Sequence, residues 1–285
     1  MENAIEIKNL SKSYEDFCLN NIILNIPKGS IVGLIGENGA GKSTLISSLL
    51  GIIKSSYEEL KIFGMDFKTD EIQIKKDIAV IFDTTHYDDE FTPKFIGQIL
   101  SKVYSNWDQA TYLKYIHQFN LPMKKKIKKF SRGMKMKLEF AIAFSHDAKL
   151  LILDEATSVL DPIIRDEILS IIREYTEDEN HTVLMSSHIT SDLDKISDYI
   201  AYIHEGELLF MKPYDELREE YGVLHVGKEL LDSLNREDII GYTKGAYSYT
   251  ILVKNRLAIQ SVFKDLEIMR PTVEEIMLFY AKGGC

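Results

Sequence analysis

The sequence predicts an α/β fold: a mostly parallel sheet covered by helices, with antiparallel strands at its start, a helical insertion and a small C-terminal α/β appendage. Three observations predict it. Short, continuously apolar runs alternate with helical patterns, as in a sheet buried on both faces. The stretch from about Glu90 to Asp147 is nearly all helical between two such runs. After about Pro213 the apolar runs give way to short strand-like and helical pieces. The reading therefore divides the chain into 1–212, with a helical subdomain at about 90–147, and an accessory unit at 213–285.

In chain order, Ala4-Ile5-Glu6-Ile7-Lys8 alternates as a half-buried strand does. A second strand runs from Asn21 to Ile26 and closes on the turn Pro27-Lys28-Gly29. Ile31-Val32-Gly33-Leu34-Ile35 is apolar on both faces, a central strand, and a helix follows from about Ser43 to Leu50. Later strands are expected at Leu60–Phe63, Ile78–Phe82, Leu150–Leu153, Thr182–Met185, Tyr199–His204 and Leu208–Met211. Helical periodicity marks Lys94–Tyr104, Gln109–Asn120, Met134–Phe144, Ile163–Thr176 and Thr190–Ile196. In the C-terminal part, strands are expected at Val223–Val226 and Tyr249–Val253, and helices at Arg256–Leu266 and Val273–Ala281.

Bulk properties narrow the function. The 285 residues carry 34 Lys and Arg against 44 Asp and Glu, a formal charge of −10. That argues against a nucleic-acid surface, which needs basic patches to neutralise phosphates. The one basic cluster, Lys124-Lys125-Lys126-Ile127-Lys128-Lys129, reads as a solvated helix end; an anionic membrane or an acidic partner loop is the other reading. Cys18 and Cys285 have no metal or redox spacing and suit a reducing cytosol. Met1-Glu2-Asn3-Ala4 is too polar for a signal peptide. No stretch approaches the roughly 20 apolar residues that span a bilayer.

The chemistry begins at Gly36-Glu37-Asn38-Gly39-Ala40-Gly41-Lys42-Ser43-Thr44, which matches G-x-x-x-x-G-K-[ST] between a buried strand and a helix. Glycines let successive backbone N–H groups curl towards phosphate oxygens, and the helix N-terminus adds partial positive charge. Lys42 is expected to reach the β- and γ-phosphates and the Ser43 hydroxyl to hold Mg²⁺. Leu150-Leu151-Ile152-Leu153 ends in Asp154 and Glu155. Its apolar run is expected to bury it beside the phosphate-loop strand, with Asp154 at the Mg²⁺ position and Glu155 placed to polarise an attacking water. Asp161, before Pro162, reads on its own as a helix N-cap. His188 ends the run Met185-Ser186-Ser187-His188, where a histidine can sense or stabilise a γ-phosphate.

Together these residues resemble the ATPase domain of ABC transporters. Gly36–Ser43 is similar to its Walker A loop, Leu150–Glu155 to its Walker B strand, Ser158–Asp161 to its D-loop and His188 to its switch histidine. Tyr14 sits where the family has an aromatic that stacks on adenine. Phe130-Ser131-Arg132-Gly133-Met134 resembles the LSGGQ signature, keeping only Ser131 and Gly133. Asp83 stands where the family carries a glutamine that touches Mg²⁺; an Asp is a hard-cation ligand but lacks the amide donor. The resemblance covers about Ile5 to Met211.

It implies a P-loop NTPase core of the ABC ATPase type that binds ATP and Mg²⁺ and hydrolyses ATP. It also implies a head-to-tail dimer, with a second copy or a paralogous ATPase, in which each cradle is capped by the other subunit's Ser131 and Gly133. A separate transmembrane permease would hold the chain, without nucleic acid, at the cytoplasmic face of the membrane. The tail Arg270-Pro271-Thr272-Val273-Glu274-Glu275 is similar to bacterial type two exporters, which suggests an amphipathic peptide or a drug as cargo. The alternatives are a soluble ABC-family ATPase and a non-hydrolysing regulatory module.

Overall fold

The computed structural model describes residues 2–84 and 87–281. Chain order begins with β1 (Asn3–Ser13), β2 (Cys18–Pro27) and β3 (Ile31–Ile35), followed by α1 (Lys42–Leu49). Next come β4 (Glu59–Ile62), β5 (Met65–Asp66), α2 (Phe67–Lys76) and β6 (Ile78–Ile81). Three helices follow, α3 (Pro93–Val103), α4 (Gln109–Gln118) and α5 (Arg132–Ala143). The chain returns to the sheet through β7 (Leu150–Asp154), α6 (Pro162–Tyr175), β8 (Thr182–Ser186), α7 (Thr190–Ile196), β9 (Tyr199–His204) and β10 (Glu207–Pro213). It ends with α8 (Tyr214–Glu220), β11 (Gly222–Val226), α9 (Lys228–Ser233), β12 (Ile239–Lys244), β13 (Tyr249–Val253), α10 (Arg256–Val262) and α11 (Val273–Ala281).

The central sheet has the order β10-β9-β3-β8-β7-β6. All neighbours pair in parallel except β10, which returns antiparallel on β9. Every residue of β3, β7 and β8 is buried, which explains their unbroken apolar runs. The two-residue period of a strand then splits each between two cores. Ile31, Leu151, Leu153, Val183 and Met185 face a core shared with α3 to α7. Val32, Leu34, Leu150, Ile152 and Leu184 face a core shared with α1 and the antiparallel sheet β2-β1-β4-β5.

One expectation is corrected here. The strand that ends in Asp154 does not lie beside the phosphate-loop strand, because β8 pairs with both and separates them. A strand with both faces and both edges buried satisfies its backbone only with a neighbour on each side.

The insertion between β6 and β7 is helical, as expected, and its ends return to adjacent parallel strands. The basic run does not end α4, which closes at Gln118; its lysines are exposed, and Ile127–Lys129 forms a short 3₁₀ helix of its own. Lys126 and Lys128 both hold Glu90, the former at 2.6 Å, and Lys135 holds Asp89 at 2.9 Å. Beyond Pro213, β11-β13-β12 forms a separate antiparallel sheet with its own apolar cluster. This part also joins the main core through Val223, Leu252, Val273, Ile276 and Phe279. Asp194 on α7 accepts from Tyr214 Oη at 2.9 Å and from the Val273 amide at 3.2 Å, tying α8 and α11 to the sheet.

Candidate functional site

The C-terminal ends of β3, β8 and β7 lie side by side and deliver three loops to one edge, where ligands of open α/β sheets bind. After β3 the chain turns through Gly36. A Cβ there would meet the Ile203 carbonyl oxygen at 2.3 Å, and φ is +156°, so only glycine lets the loop leave the strand. Gly41 closes the loop at φ +113°, where a Cβ would meet the Phe17 ring at 2.9 Å. It is also the N-cap of α1, and no side chain caps that terminus. The first amides of α1 are thereby left for an external anion. The loop is braced from outside: Gly206, in the β9–β10 turn, donates to the Ala40 carbonyl at 3.0 Å, and its own carbonyl accepts from the Asn20 amide at 2.8 Å.

Lys42 is 7% exposed, and its Nζ donates to the carbonyls of Gly36 at 2.7 Å and Glu37 at 3.1 Å. Burial pushes its ammonium down, and the carboxylates of Glu155 and then Asp154 oppose that shift. All three groups therefore share one field. Glu37, Asn38, Gly39 and Ser43 are exposed, Thr44 is half-buried and Ala40 is buried.

Tyr14, Asp16, Phe17, Asn38, Gly39, Gly41, Lys42, Ser43, Thr44 and Glu155 line an open cleft of about 610 Å³. Tyr14 enters it because its amide donates to the Phe17 carbonyl at 2.7 Å, closing the β1–β2 turn over the loop. The ring is 49% exposed, with Lys12 Nζ at 5.0 Å from its centroid. A flat aromatic with a free face beside a phosphate cradle suits a nucleobase.

On the other side, Asp154 is 8% exposed and accepts from Ser186 Oγ at 2.6 Å. The Glu155 amide donates to the same Ser186 Oγ at 3.1 Å, so one hydroxyl on β8 sets both acidic residues. Glu155 has φ +55°, a conformation uncommon for a residue with a side chain. Its carboxylate accepts from the His188 amide at 3.1 Å and pairs with His188 Nδ1 in a short contact. This is a carboxylate–imidazole pair at the mouth of the cleft, on the acidic strand's own edge.

Two expected residues are helix caps. Asp161 Oδ1 accepts from the Ile164 amide at 3.1 Å, capping α6. Ser131 Oγ accepts from the Met134 amide at 3.2 Å, capping α5. Gly133 faces the turn before α6, with the Val159 carbonyl 3.9 Å from where a Cβ would be. Of the expected residues, Tyr14, Asn38, Gly39, Gly41, Lys42, Ser43, Thr44 and Glu155 line the cleft, whereas Gly36, Glu37, Ala40, Asp83, Ser131, Gly133, Asp154, Asp161 and His188 do not. Asp83 faces Arg132 instead: the guanidinium is 3.9 Å from its carboxylate and 3.5 Å from its carbonyl oxygen. Sequence reasoning missed Phe17, Asp16 and the bridging role of Ser186. The aromatic-rich tip Tyr14–Phe17 and the polar end of β8 were the available signals.

A glycine cradle opening a helix, an acidic strand end and a histidine loop on one sheet edge define a P-loop ATPase domain. The profile of the ABC transporter family matches residues 19–158. The bacitracin transport ATP-binding protein BcrA of Bacillus licheniformis is 34% identical over 222 residues, covering 77% of this chain and 72% of that protein. The lantibiotic transport ATP-binding protein SrtF of Streptococcus pyogenes is 34% identical over 218 residues, covering 74% and 91%. A solved ATP-binding subunit of an ABC transporter superposes with a TM-score of 0.69 at 26% identity, covering 75% of this chain and 92% of that one. An ATP-binding cassette in a post-hydrolysis dimer bound to ADP and phosphate, 21% identical with a TM-score of 0.65 over 73% and 98%, has the same fold. The chain belongs to the ABC transporter family as an ATP-binding, ATP-hydrolysing subunit.

Proposed function

We propose that this chain is the motor of an exporter: two copies, or one copy and a paralogue, close head-to-tail on ATP and drive a separate transmembrane permease. The observation behind the head-to-tail reading is the separation within one chain. Residues 38, 39 and 41–44 of the cradle line the cleft, whereas Ser131 and Gly133 head α5, with Gly133 beside the Val159 carbonyl. Each chain then holds two halves of different sites. Tyr14 stacks on the base; residues 36–44 and Lys42 hold the phosphates; Ser131 and Gly133 reach the partner's γ-phosphate. Glu155 polarises water, with His188 steering its carboxylate, and Asp161 sits at the dimer seam.

Ser43 and Asp154 offer the hard oxygen donors that Mg²⁺ takes. The ion would offset charge on the β- and γ-phosphates. Asp83 is a third candidate ligand, and Arg132 competes for its carboxylate.

Among the described residues no helix is long and apolar enough to cross a membrane. Relatives named as transport ATP-binding proteins support a permease that supplies the path, with this chain peripheral on the cytoplasmic face. Residues 1–212 form the ATPase domain in this reading, and 213–285 an accessory unit packed on α7. Relatives named for bacitracin and lantibiotic transport support an amphipathic peptide as cargo.

The test mixes two inactive variants, Ser131→Arg and Lys42→Ala. In a head-to-tail pair one site collects both lesions and the other neither, so the mixture is expected to regain ATPase activity that neither variant has. A mixture as inactive as its components, in sizing-column fractions shown to contain mixed dimers, refutes the composite site.

A further inference from the structure

One buried carboxylate outside the residues assigned so far touches the supports of three site loops. Asp192, in the first turn of α7, is 3% exposed. Its Oδ2 accepts from Thr157 Oγ1 at 2.9 Å, and its Oδ1 lies 4.0 Å from Arg165 Nη1. Thr157 is wholly buried in the turn that follows Glu155, and its carbonyl accepts from the Leu160 amide at 3.1 Å. Arg165 reaches back from the first turn of α6: its Nη2 donates to the Leu160 carbonyl at 3.4 Å, just before Asp161. The Asp192 amide donates to the carbonyl of Ile189, the neighbour of His188, at 3.0 Å.

A carboxylate is a costly choice for this place. Leu193 and Ile196 already anchor α7 in the core. A buried charge without close pairing costs stability rather than adding it. Burial pushes the Asp192 carboxyl up, and the Thr157 hydroxyl and then Arg165 only partly oppose that shift. What the carboxylate provides is geometry, because two oxygens fix two groups from different loops at once while its backbone fixes a third.

We infer that Asp192 is a positioning residue for hydrolysis, setting the Glu155 turn, the Asp161 turn and the His188 loop in register through Thr157, Arg165 and Ile189. The inference rests on the roles proposed above for Glu155, Asp161 and His188. It concerns the chemical step and not ATP binding, because these contacts run to the turns that carry Glu155, Asp161 and His188 and not to the 36–44 loop.

The test uses the purified chain with Mg²⁺-ATP, steady-state ATPase kinetics and titration with a fluorescent ATP analogue. Glu155→Gln serves as the control for the site itself: if it hydrolyses like wild type, the proposed site fails, whatever Asp192 does. With that control inactive, Asp192→Asn is expected to keep an acceptor for Thr157 but strand the Arg165 cation. It should lower kcat about 10- to 100-fold, the cost of misplacing reacting groups by about 1 Å, with KM and analogue affinity within about twofold of wild type. The double variant Asp192→Asn/Arg165→Gln, which also loses the Arg165 bond to the Leu160 carbonyl, should recover none of that loss. A purely structural role would lower kcat, affinity and melting temperature together; that result, a double variant that regains kcat, or a wild-type kcat in Asp192→Asn, overturns the inference. Should Asp192→Asn fail to fold, Thr157→Val decides with no buried charge changed. It is expected to lower kcat at least about threefold, the effect of one hydrogen bond, at unchanged KM, and a wild-type kcat again overturns the inference.

Discussion

Replacing Glu155 by Gln removes one charge and almost nothing else. The carboxylate sits at the mouth of the cleft, with its side chain 22% exposed, and accepts from the His188 amide at 3.1 Å. A glutamine oxygen still accepts that bond, and the backbone at φ +55° is no less tolerable for Gln than for Glu. Folding is therefore expected to change little. The lost element is the base, worth about 10²–10⁴ in rate, or about 2.7–5.4 kcal/mol of barrier at 1.36 kcal/mol per decade. Phosphate release under saturating Mg²⁺-ATP is expected to fall by that factor, while an ATP analogue still binds.

A second consequence has a definite sign. Glu155 is the first of the two carboxylates that hold the Lys42 ammonium up against burial. Without it the Lys42 pKa drops further, so affinity for the analogue should begin to weaken at a lower alkaline pH than in wild type. Turnover within about twofold of wild type, smaller than the least loss expected of a general base, refutes the assignment of Glu155. A pH profile of binding that does not move refutes the shared field.

Two smaller changes test the metal set. Asp83→Asn is expected to raise the Mg²⁺ concentration for half-maximal ATPase; an unchanged requirement removes Asp83 from the site. Arg132→Gln frees the Asp83 carboxylate from a cation 3.9 Å away and is expected to lower the same Mg²⁺ requirement, and no change in that titration rejects the competition.

The central strands were legible because burial on both faces leaves a continuous apolar run, and β3 and β9 fall where the pattern puts them. The cradle was legible because its geometry admits so few residue types, as the Ile203 carbonyl against Gly36 illustrates. Strand order was not legible. Which strand lies between β3 and β7 depends on a crossover that leaves no local trace in Leu150–Leu153. The helix α2 was missed because its sequence is mostly polar, its only buried residues being Phe67 and Ile74, and its backbone kinks at Asp70. Its start was readable, since the Asp66 side chain caps it by accepting from the Lys68 amide at 2.8 Å. The partners of the basic run were not legible for a related reason. Charge in sequence does not reveal its partners, and Glu90, which neutralises Lys126 and Lys128, lies on the far side of two helices in the chain. Asp161 reads as a cap and is one; Ser131, expected to face an anion at a helix N-terminus, is a cap as well.

That capping role decides how Ser131 must be tested. Its hydroxyl takes the Met134 amide at 3.2 Å at the head of the 12-residue α5, so Ser131→Ala removes a cap along with any contact to a phosphate. The cap alone is worth about 1 kcal/mol, enough to confuse a loss of stability with a loss of function. Ser131→Asp separates the two. Aspartate caps as well as serine does, and its charge suits a helix N-terminus; the melting temperature should hold or rise. Towards a γ-phosphate the same carboxylate is repulsive, by about 4 kcal/mol at ~4 Å with an effective dielectric of about 20. That is nearly a thousandfold in an equilibrium constant. Placed in the Glu155→Gln background, Ser131→Asp is expected to bind the ATP analogue as a monomer with unchanged affinity and to remain monomeric on a sizing column in Mg²⁺-ATP, where Glu155→Gln alone dimerises. If the Asp variant loses affinity as a monomer, Ser131 acts on its own chain's nucleotide and the head-to-tail site is wrong. If it dimerises on ATP as readily as Glu155→Gln, the α5 N-terminus does not face a phosphate at all, and the helix cap is the whole of what Ser131 does.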